Sequence, residues 1–231
     1  MLLIAARHAE SIANVDRSAG LNSLLSPLGR QQATALCERI RSQRLSAIYC
    51  SPFARCIETA APIAEALDMP IRIRPDLAEF HHLQPGTVTD AGLPLPEELL
   101  ASDSRLIRCP DWPGELEWTP IDESHENLIL RIRRLAGYLK TRWQAPGDVV
   151  LVISHGSPIA RLIDAWLSPS PGPSFRFIID NAGLSALRFH QEISSLICLN
   201  ECSHLVGLPV AAASNFAPGG IPKAIPPSDY W

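Results

Sequence analysis

The chain has 231 residues, is 46% apolar and carries a formal net charge of −4, enough length and apolar content for a substantial core, with no basic excess to hold nucleic acid or an anionic membrane. No apolar run approaches the roughly 20 residues that span a bilayer, and the start lacks the basic region and cleavage site of a signal peptide. Six scattered cysteines without a CxxC pair do not read as a disulfide framework, so a cytoplasmic protein with reduced thiols is expected.

Residues 2–6 read as a buried strand that ends abruptly in Arg7-His8. Segment 26–44 opens with Ser26 as N-cap and Pro27 at the first helical position, and it sets Ala33, Leu36, Cys37 and Ile40 on one face. A strand at 46–50 leads into a helix at 51–67, opened in the same way by Ser51-Pro52, and a further strand follows at 71–74. Prolines 85, 94, 96, 110, 113 and 120 break all periodicity, so about 80–122 reads as an irregular lid insertion with one short helix at 96–101. Segment 124–143 is a helix capped by Ser124, with Leu128, Ile132, Leu135, Leu139 and Trp143 at helical spacing and Pro146-Gly147 beyond its end. The strand at 149–154 precedes a helix started by Ser157-Pro158, and strands at 184–189 and 195–199 complete the pattern. Strand alternating with helix predicts one α/β domain over 1–206, a three-layer sandwich with a mostly parallel central sheet and helices on both faces. Residues 207–231 form a tail rich in Pro and Gly.

Open sheets of this kind bind ligands beyond the carboxyl ends of their strands. At those ends lie Arg7 and His8, then Arg55 in the opening turn of a helix, then Glu79, then His155-Gly156. Two Arg, two His and one Glu on one edge suit a phosphate monoester, whose transfer rests on positioning and on neutralising its equatorial oxygens. A neutral imidazole can accept the phosphoryl group, and a carboxyl group can protonate the leaving alcohol and then deprotonate water. The cationic side chains neutralise the phosphate, so no metal or other cofactor is implied. His81 and His82 beside Glu79 do not read as metal ligands, because neighbours on an extended chain point opposite ways and no ligand spacing accompanies them.

RHAESIAN at 7–14 resembles the RHG motif of the histidine phosphatase superfamily, the phosphoglycerate mutase-like proteins, with Ala9 where that family usually has Gly. The resemblance continues in LSPLGRQQA (25–33), SPFARCIETA (51–60), LAE (77–79), ESHENLILR (123–131), ISHG (153–156), NAGLSAL (181–187) and LNECSHL (199–205). It implies His8 as phosphate acceptor and Glu79 as proton donor. Arg7, Arg55 and His155 would form the phosphate pocket, with Gly156 beside them and Asn14 as an auxiliary phosphate contact. The implied partner is a small phosphorylated substrate; nothing in the sequence indicates an oligomeric state.

Mutases of this family resemble one another in a basic stretch after the acidic Glu, whereas FHHLQPGTVTDAGLP follows Glu79 and no Arg or Lys appears before Arg105. A phosphomonoester hydrolase is therefore the expectation. The alternatives are a mutase-type phosphotransferase and a catalytically silent protein that binds phosphorylated ligands. Substrate choice is expected of the lid, through stacking by Phe80, His81, His82, Trp112 or Trp118 and through a second anion site at Arg105 and Arg108. Three further side chains have local readings: Cys56 as a buried thiol or one activated by Arg55, Arg55 itself as a partner for Glu58, and His204 as a local hydrogen-bonding residue.

Overall fold

The computed structural model describes residues 1–80, 96–111, 123–168 and 177–209. Strands β1 (Leu2–Arg7), β2 (Ala47–Cys50), β3 (Ile71–Ile73), β4 (Leu106–Arg108), β5 (Val149–Ser154), β6 (Leu184–His190) and β7 (Ile193–Glu201) form one sheet in the order β4-β3-β2-β5-β1-β6-β7. Pairing is parallel from β4 through to β1, and β6 alone runs against the rest. Register decides where the site forms. Arg7 lies opposite Ser154, and Cys50 opposite Ile153, so β1, β5 and β2 end at one level and release His8, His155 and Ser51 side by side.

Six helices accompany the sheet among the described residues: α1 (Ile12–Val15), α2 (Pro27–Ile40), α3 (Ala54–Leu67), α4 (Pro96–Ser102), α5 (His125–Arg142) and α6 (Gly156–Leu167). Period-two alternation along the central strands splits the core into two layers. Leu3, Ala5, Val150 and Val152 pack with Leu135 and Leu139 of α5 and Ile159 and Ile163 of α6. Ile4, Ala6, Leu151 and Ile153 face the other way, onto Leu36 and Ile40 of α2 and Ala60 and Ile63 of α3. Burial on both faces is why these strands read as continuous apolar runs. The predicted α/β sandwich and its mostly parallel sheet are thus the observed architecture.

Helix boundaries show which Ser-Pro pairs are caps. Ser26 Oγ accepts from Gly29 N at 2.9 Å with Pro27 at the first position, as predicted, and Ser124 Oγ accepts from Asn127 N at 3.1 Å. The other two pairs are different. Helix α3 begins at Ala54, whose N–H is taken by Asn22 Oδ1 at 2.8 Å, and α6 begins at Gly156 with His155 in the capping position. Ser51 is thereby released from capping and turns to the site described below.

The stretch expected to be an irregular lid contains part of the main fold. Its short helix is α4, but Leu106–Arg108 then adds to the sheet beside β3, with Ile71 opposite Leu106, which is buried. Arg105 does not offer an anion site, because its fork is closed on Asp103, with Nη2 2.7 Å from Oδ2 and Nε 3.0 Å from Oδ1. Arg108 is exposed on the edge strand. His81, His82, Trp112 and Trp118 lie outside the described residues, as does the tail from 210.

Two glycines separate close approach from mere permissiveness. The first turn of α2 rests on the backbone of Glu10, and a Cβ on Gly29 would stand 1.9 Å from the Glu10 carbonyl oxygen; at Gly137, in mid-α5, nothing lies within 4 Å. Gly29→Ala is therefore expected to cost about 1–3 kcal/mol by overpacking, whereas Gly137→Ala stabilises by about 0.5–1 kcal/mol through helix propensity. Urea unfolding of the two variants checks both signs.

Candidate active site

His8 leaves β1 with its backbone held on two sides. Its N–H donates to Ser154 O at 2.8 Å, and its carbonyl accepts from Ala182 N at 3.2 Å and Asn181 Nδ2 at 3.1 Å. Ala182 holds a left-handed φ of 56° to make that approach. The ring is oriented by a bond from Nδ1 to Ala9 O at 2.7 Å. A carbonyl oxygen can only accept, so the proton sits on Nδ1 and the lone pair is on Nε2. Into that lone pair Arg55 Nε donates at 3.2 Å. Burial, then the charges of Arg55 and Arg7, hold the His8 pKa well below the usual imidazole range, so the ring is neutral.

Ala9 fits where the resembling family has Gly. Its N–H donates to Thr59 Oγ1 at 3.0 Å, its backbone is outside the left-handed region, and its methyl group packs with Leu25, Ala33 and Ala182.

Arg55, 6% exposed, spans the site: besides His8 it reaches His155 Nδ1 through Nη2 at 3.1 Å and Leu21 O through Nη1 at 2.6 Å. Arg7 is anchored by Nη1 on Ile179 O at 2.7 Å, while its Nε is buried with no hydrogen-bond partner among the described residues. An orphaned cationic donor beside the first turn of α6 is the local signature of an anion site. The turn lies beside the guanidinium, since a Cβ on Gly156 would stand in ordinary contact with that Nε at 3.8 Å. Burial lowers the pKa of both arginines, against the opposing pull of Glu79.

His155 is fully buried and stands edge-on to His8, ring centroids 5.1 Å apart. Arg55 donates to its Nδ1, so its Nε2 proton is directed at Ser51 Oγ, 2.8 Å away. Glu79 Oε2 lies 3.8 Å from His155 Nδ1, and Glu79 Oε1 accepts from Phe80 N at 2.9 Å. Burial raises the Glu79 pKa, opposed by Arg55, the Phe80 N–H, Arg7 and Arg131 in that order. Phe80 packs against the core and meets the His125 ring at 5.9 Å. The two His, two Arg and Glu predicted from strand ends are therefore in one cluster.

Asn14 is connected differently from the expected phosphate contact. Its Oδ1 accepts from Ser11 N, Ser11 Oγ and Asn181 Nδ2 at 3.0, 3.1 and 3.2 Å, which commits that oxygen to the framework around His8. Glu58 does not pair with Arg55; its Oε2 accepts from Leu25 N at 2.6 Å. Nor is Cys56 an activated thiol, for burial pushes it up to about 12 in spite of Arg55. His204 donates locally, from Nε2 to Ala182 O at 3.1 Å. Sequence reading missed Ser51, Thr59 and Asn181 as site residues; all three lie inside quoted motifs, and all three act by holding a backbone or a ring in place.

The arrangement can receive an anion between two guanidinium groups, attack it with an imidazole lone pair and exchange a proton through a carboxyl group. Among the described residues no group of three His, Cys, Asp or Glu side chains is placed to hold a metal ion, and no helix is long and apolar enough to cross a membrane.

Comparison with known proteins gives the family and the fold. The sequence model of the histidine phosphatase superfamily (branch 1) matches residues 3–201, and the chain belongs to that family. It is 30% identical over 209 residues to phosphoserine phosphatase 1 of Hydrogenobacter thermophilus, covering 88% of this chain and 93% of the relative. The mycobacterial glucosyl-3-phosphoglycerate phosphatase in complex with VO3 superposes with a TM-score of 0.62 at 25% identity, over 87% of this chain and 99% of that one. An Escherichia coli protein described as a putative alpha-ribazole-5'-P phosphatase shares the fold, with a TM-score of 0.64 at 23% identity over 87% and 97% of the two chains.

The electrostatics of His8 can be read without turnover. Its ring resonances, assigned by comparison with His8→Ala, are expected to stay in the neutral form as pH falls from about 8 to 5, where an ordinary histidine titrates near 6.5. A midpoint in the ordinary range would contradict the burial of the ring beside the charges of Arg55 and Arg7.

Proposed function

We propose that this member of the histidine phosphatase superfamily is a phosphomonoester hydrolase that works through a phosphohistidine on His8. The observation that carries the reading is the tautomer of His8: with its proton tied to Ala9 O, Nε2 faces the buried guanidinium of Arg55, where a phosphoryl group would replace the present contact. Arg55, the orphaned Nε of Arg7 and the first turn of α6, which opens at Gly156, bind the equatorial oxygens, with His155 beside them. Asn14 contributes through the Asn181 bridge to the His8 backbone.

In the first step the Nε2 lone pair forms a P–N bond as the P–O bond to the alcohol breaks, and protonated Glu79 gives its proton to the leaving oxygen. In the second step the Glu79 carboxylate takes a proton from water, whose oxygen attacks phosphorus; the P–N bond breaks and its electron pair returns to Nε2. Burial favours the protonated acid needed first, and the charge of a bound phosphate favours it further.

The phosphatase names of the Hydrogenobacter and mycobacterial relatives support hydrolysis of small phosphorylated substrates over transfer between them. The absence of any Arg or Lys between Glu79 and Arg105, which is itself closed on Asp103, points the same way against a mutase. A cytoplasmic setting accords with six free thiols.

Phosphate release from a panel of phosphomonoesters that includes phosphoserine and 3-phosphoglycerate, with chelator present, tests the reading. His8→Ala is expected to stay folded and lose about a thousandfold or more in kcat. Equal turnover in the variant sinks the mechanism, and His8-dependent transfer between phosphoglycerates without release makes the protein a mutase. Glu79→Gln should lower kcat/KM, which reports the phosphorylation step, by about a hundredfold or more for alkyl esters and by less than about tenfold for p-nitrophenyl phosphate, whose phenolate needs little protonation. For alkyl esters kcat falls as pH rises through the raised Glu79 pKa, because the required proton is lost. A rate that climbs with pH across that range removes Glu79 as the acid.

A further inference from the structure

The chain leaves the sheet after β3 and has six residues in which to bring Glu79 over the crevice. A single 3-10 turn, Pro75–Leu77, does this, and Ala78 is extended. Asp76, Leu77 and Ala78 are buried, so their carbonyls need partners. Each receives one from outside the segment. Ser154 Oγ donates to Leu77 O at 2.6 Å, and Nη1 of Arg131, reaching over from α5, donates to both Asp76 O at 2.7 Å and Ala78 O at 3.1 Å.

The rest of the Arg131 fork is closed on one carboxylate. Its Nε donates to Glu123 Oε1 at 2.8 Å and its Nη2 to Glu123 Oε2, with the two side chains only 11% and 7% exposed. Only a planar guanidinium can face a carboxylate with one edge and two carbonyls with the remaining nitrogen. Cohesion alone does not call for this device. Leu77, Leu128 and Ile132 already join the turn to α5 in one apolar cluster, and a buried ion pair adds little stability over an apolar replacement. What the pair adds is a fixed direction for the backbone that ends in Glu79.

We infer that Arg131, locked by Glu123, is a positioning residue for Glu79: it aims the carboxyl group at the leaving oxygen by fixing the carbonyls of Asp76 and Ala78. The inference rests on the role proposed above for Glu79. Arg131 makes no hydrogen bond to His8, so its influence is confined to the proton transfers that Glu79 carries out, and kcat/KM, which ends at the P–N bond, isolates the first of them. Among the described residues, the charged and titratable groups that face Glu79 are Arg7 from β1, Arg55 and Cys56 from α3, Arg131 from α5 and His155 ahead of α6.

Arg131→Lys, Arg131→Met and Glu123→Gln, each checked for folding by its thermal transition, separate positioning from general damage. Expected is a loss of about tenfold or more in kcat/KM on phosphoserine with less than about threefold in kcat/KM on p-nitrophenyl phosphate. In a Glu79→Gln background, Arg131→Lys should add no further loss on phosphoserine, because both changes strike one function. Equal losses on the two esters in a folded variant, or a full additional loss in the double variant, overturn the inference. A second readout needs no turnover: the Glu79 carboxyl, titrated by 13C NMR, should move its midpoint upward in Arg131→Met, where a nearby cation is gone, and less in Arg131→Lys. An unmoved midpoint also overturns it. Failure of Glu79→Gln to distinguish the two esters would instead remove Glu79 as the acid, while the NMR midpoint still decides whether Arg131 controls that carboxyl.

Discussion

Everything at the crevice depends on one buried cation. Arg55 donates to His8, to His155 and to the Leu21 carbonyl, and among the described residues no carboxylate closes on its fork in the way Asp103 closes on Arg105. Burying a guanidinium without a paired anion costs several kcal/mol of solvation, and Arg7 is buried alongside with an unsatisfied nitrogen. Those charges are held there by the surrounding fold, with Glu79 as partial compensation. The site is thus poised for an anion, and a bound phosphate should stabilise the folded chain in proportion to its binding.

The same charges explain the state of the two histidines. Arg7 and Arg55, added to burial, keep His8 neutral and therefore nucleophilic, and Arg55 fixes the tautomer of His155 by donating to its Nδ1. Neither effect would survive a shift of the sheet register by one residue, which would turn β1 side chains to the opposite face. The pairing of Arg7 with Ser154 and the ties from Asn181 and Ala182 to the His8 carbonyl are accordingly part of the chemistry as much as of the fold. Glu79 arrives by a different route, on a short turn whose three carbonyls are held by Ser154 and Arg131.

The candidate site residues were legible because strand ends are legible: a continuous apolar run that stops at Arg7-His8, or at Ser154-His155, marks both a buried parallel strand and the edge where open sheets of this kind bind ligands. Strand β4 was not, since three residues in a proline-rich stretch carry no period and form a strand only through a distant partner, Ile71–Ile73. Ser51-Pro52 imitates the cap of Ser26-Pro27, and only the three-dimensional position of His155 shows that its hydroxyl has another use. Arg131 and Asn181 stood in quoted motifs without a role because they bond to backbone carbonyls, for which a sequence has no symbol, and Glu123 because its partner is Arg131.

The most direct test of this account is to quench the protein during turnover of a 32P-labelled phosphomonoester and to locate the label. The account predicts an acid-labile, alkali-stable phosphoramidate on His8, which disappears in His8→Ala and accumulates in Glu79→Gln when the ester has a good leaving group, because that variant lacks the base for the attacking water. Label on any other residue, or turnover in which none is ever trapped even with Glu79 replaced, would contradict it.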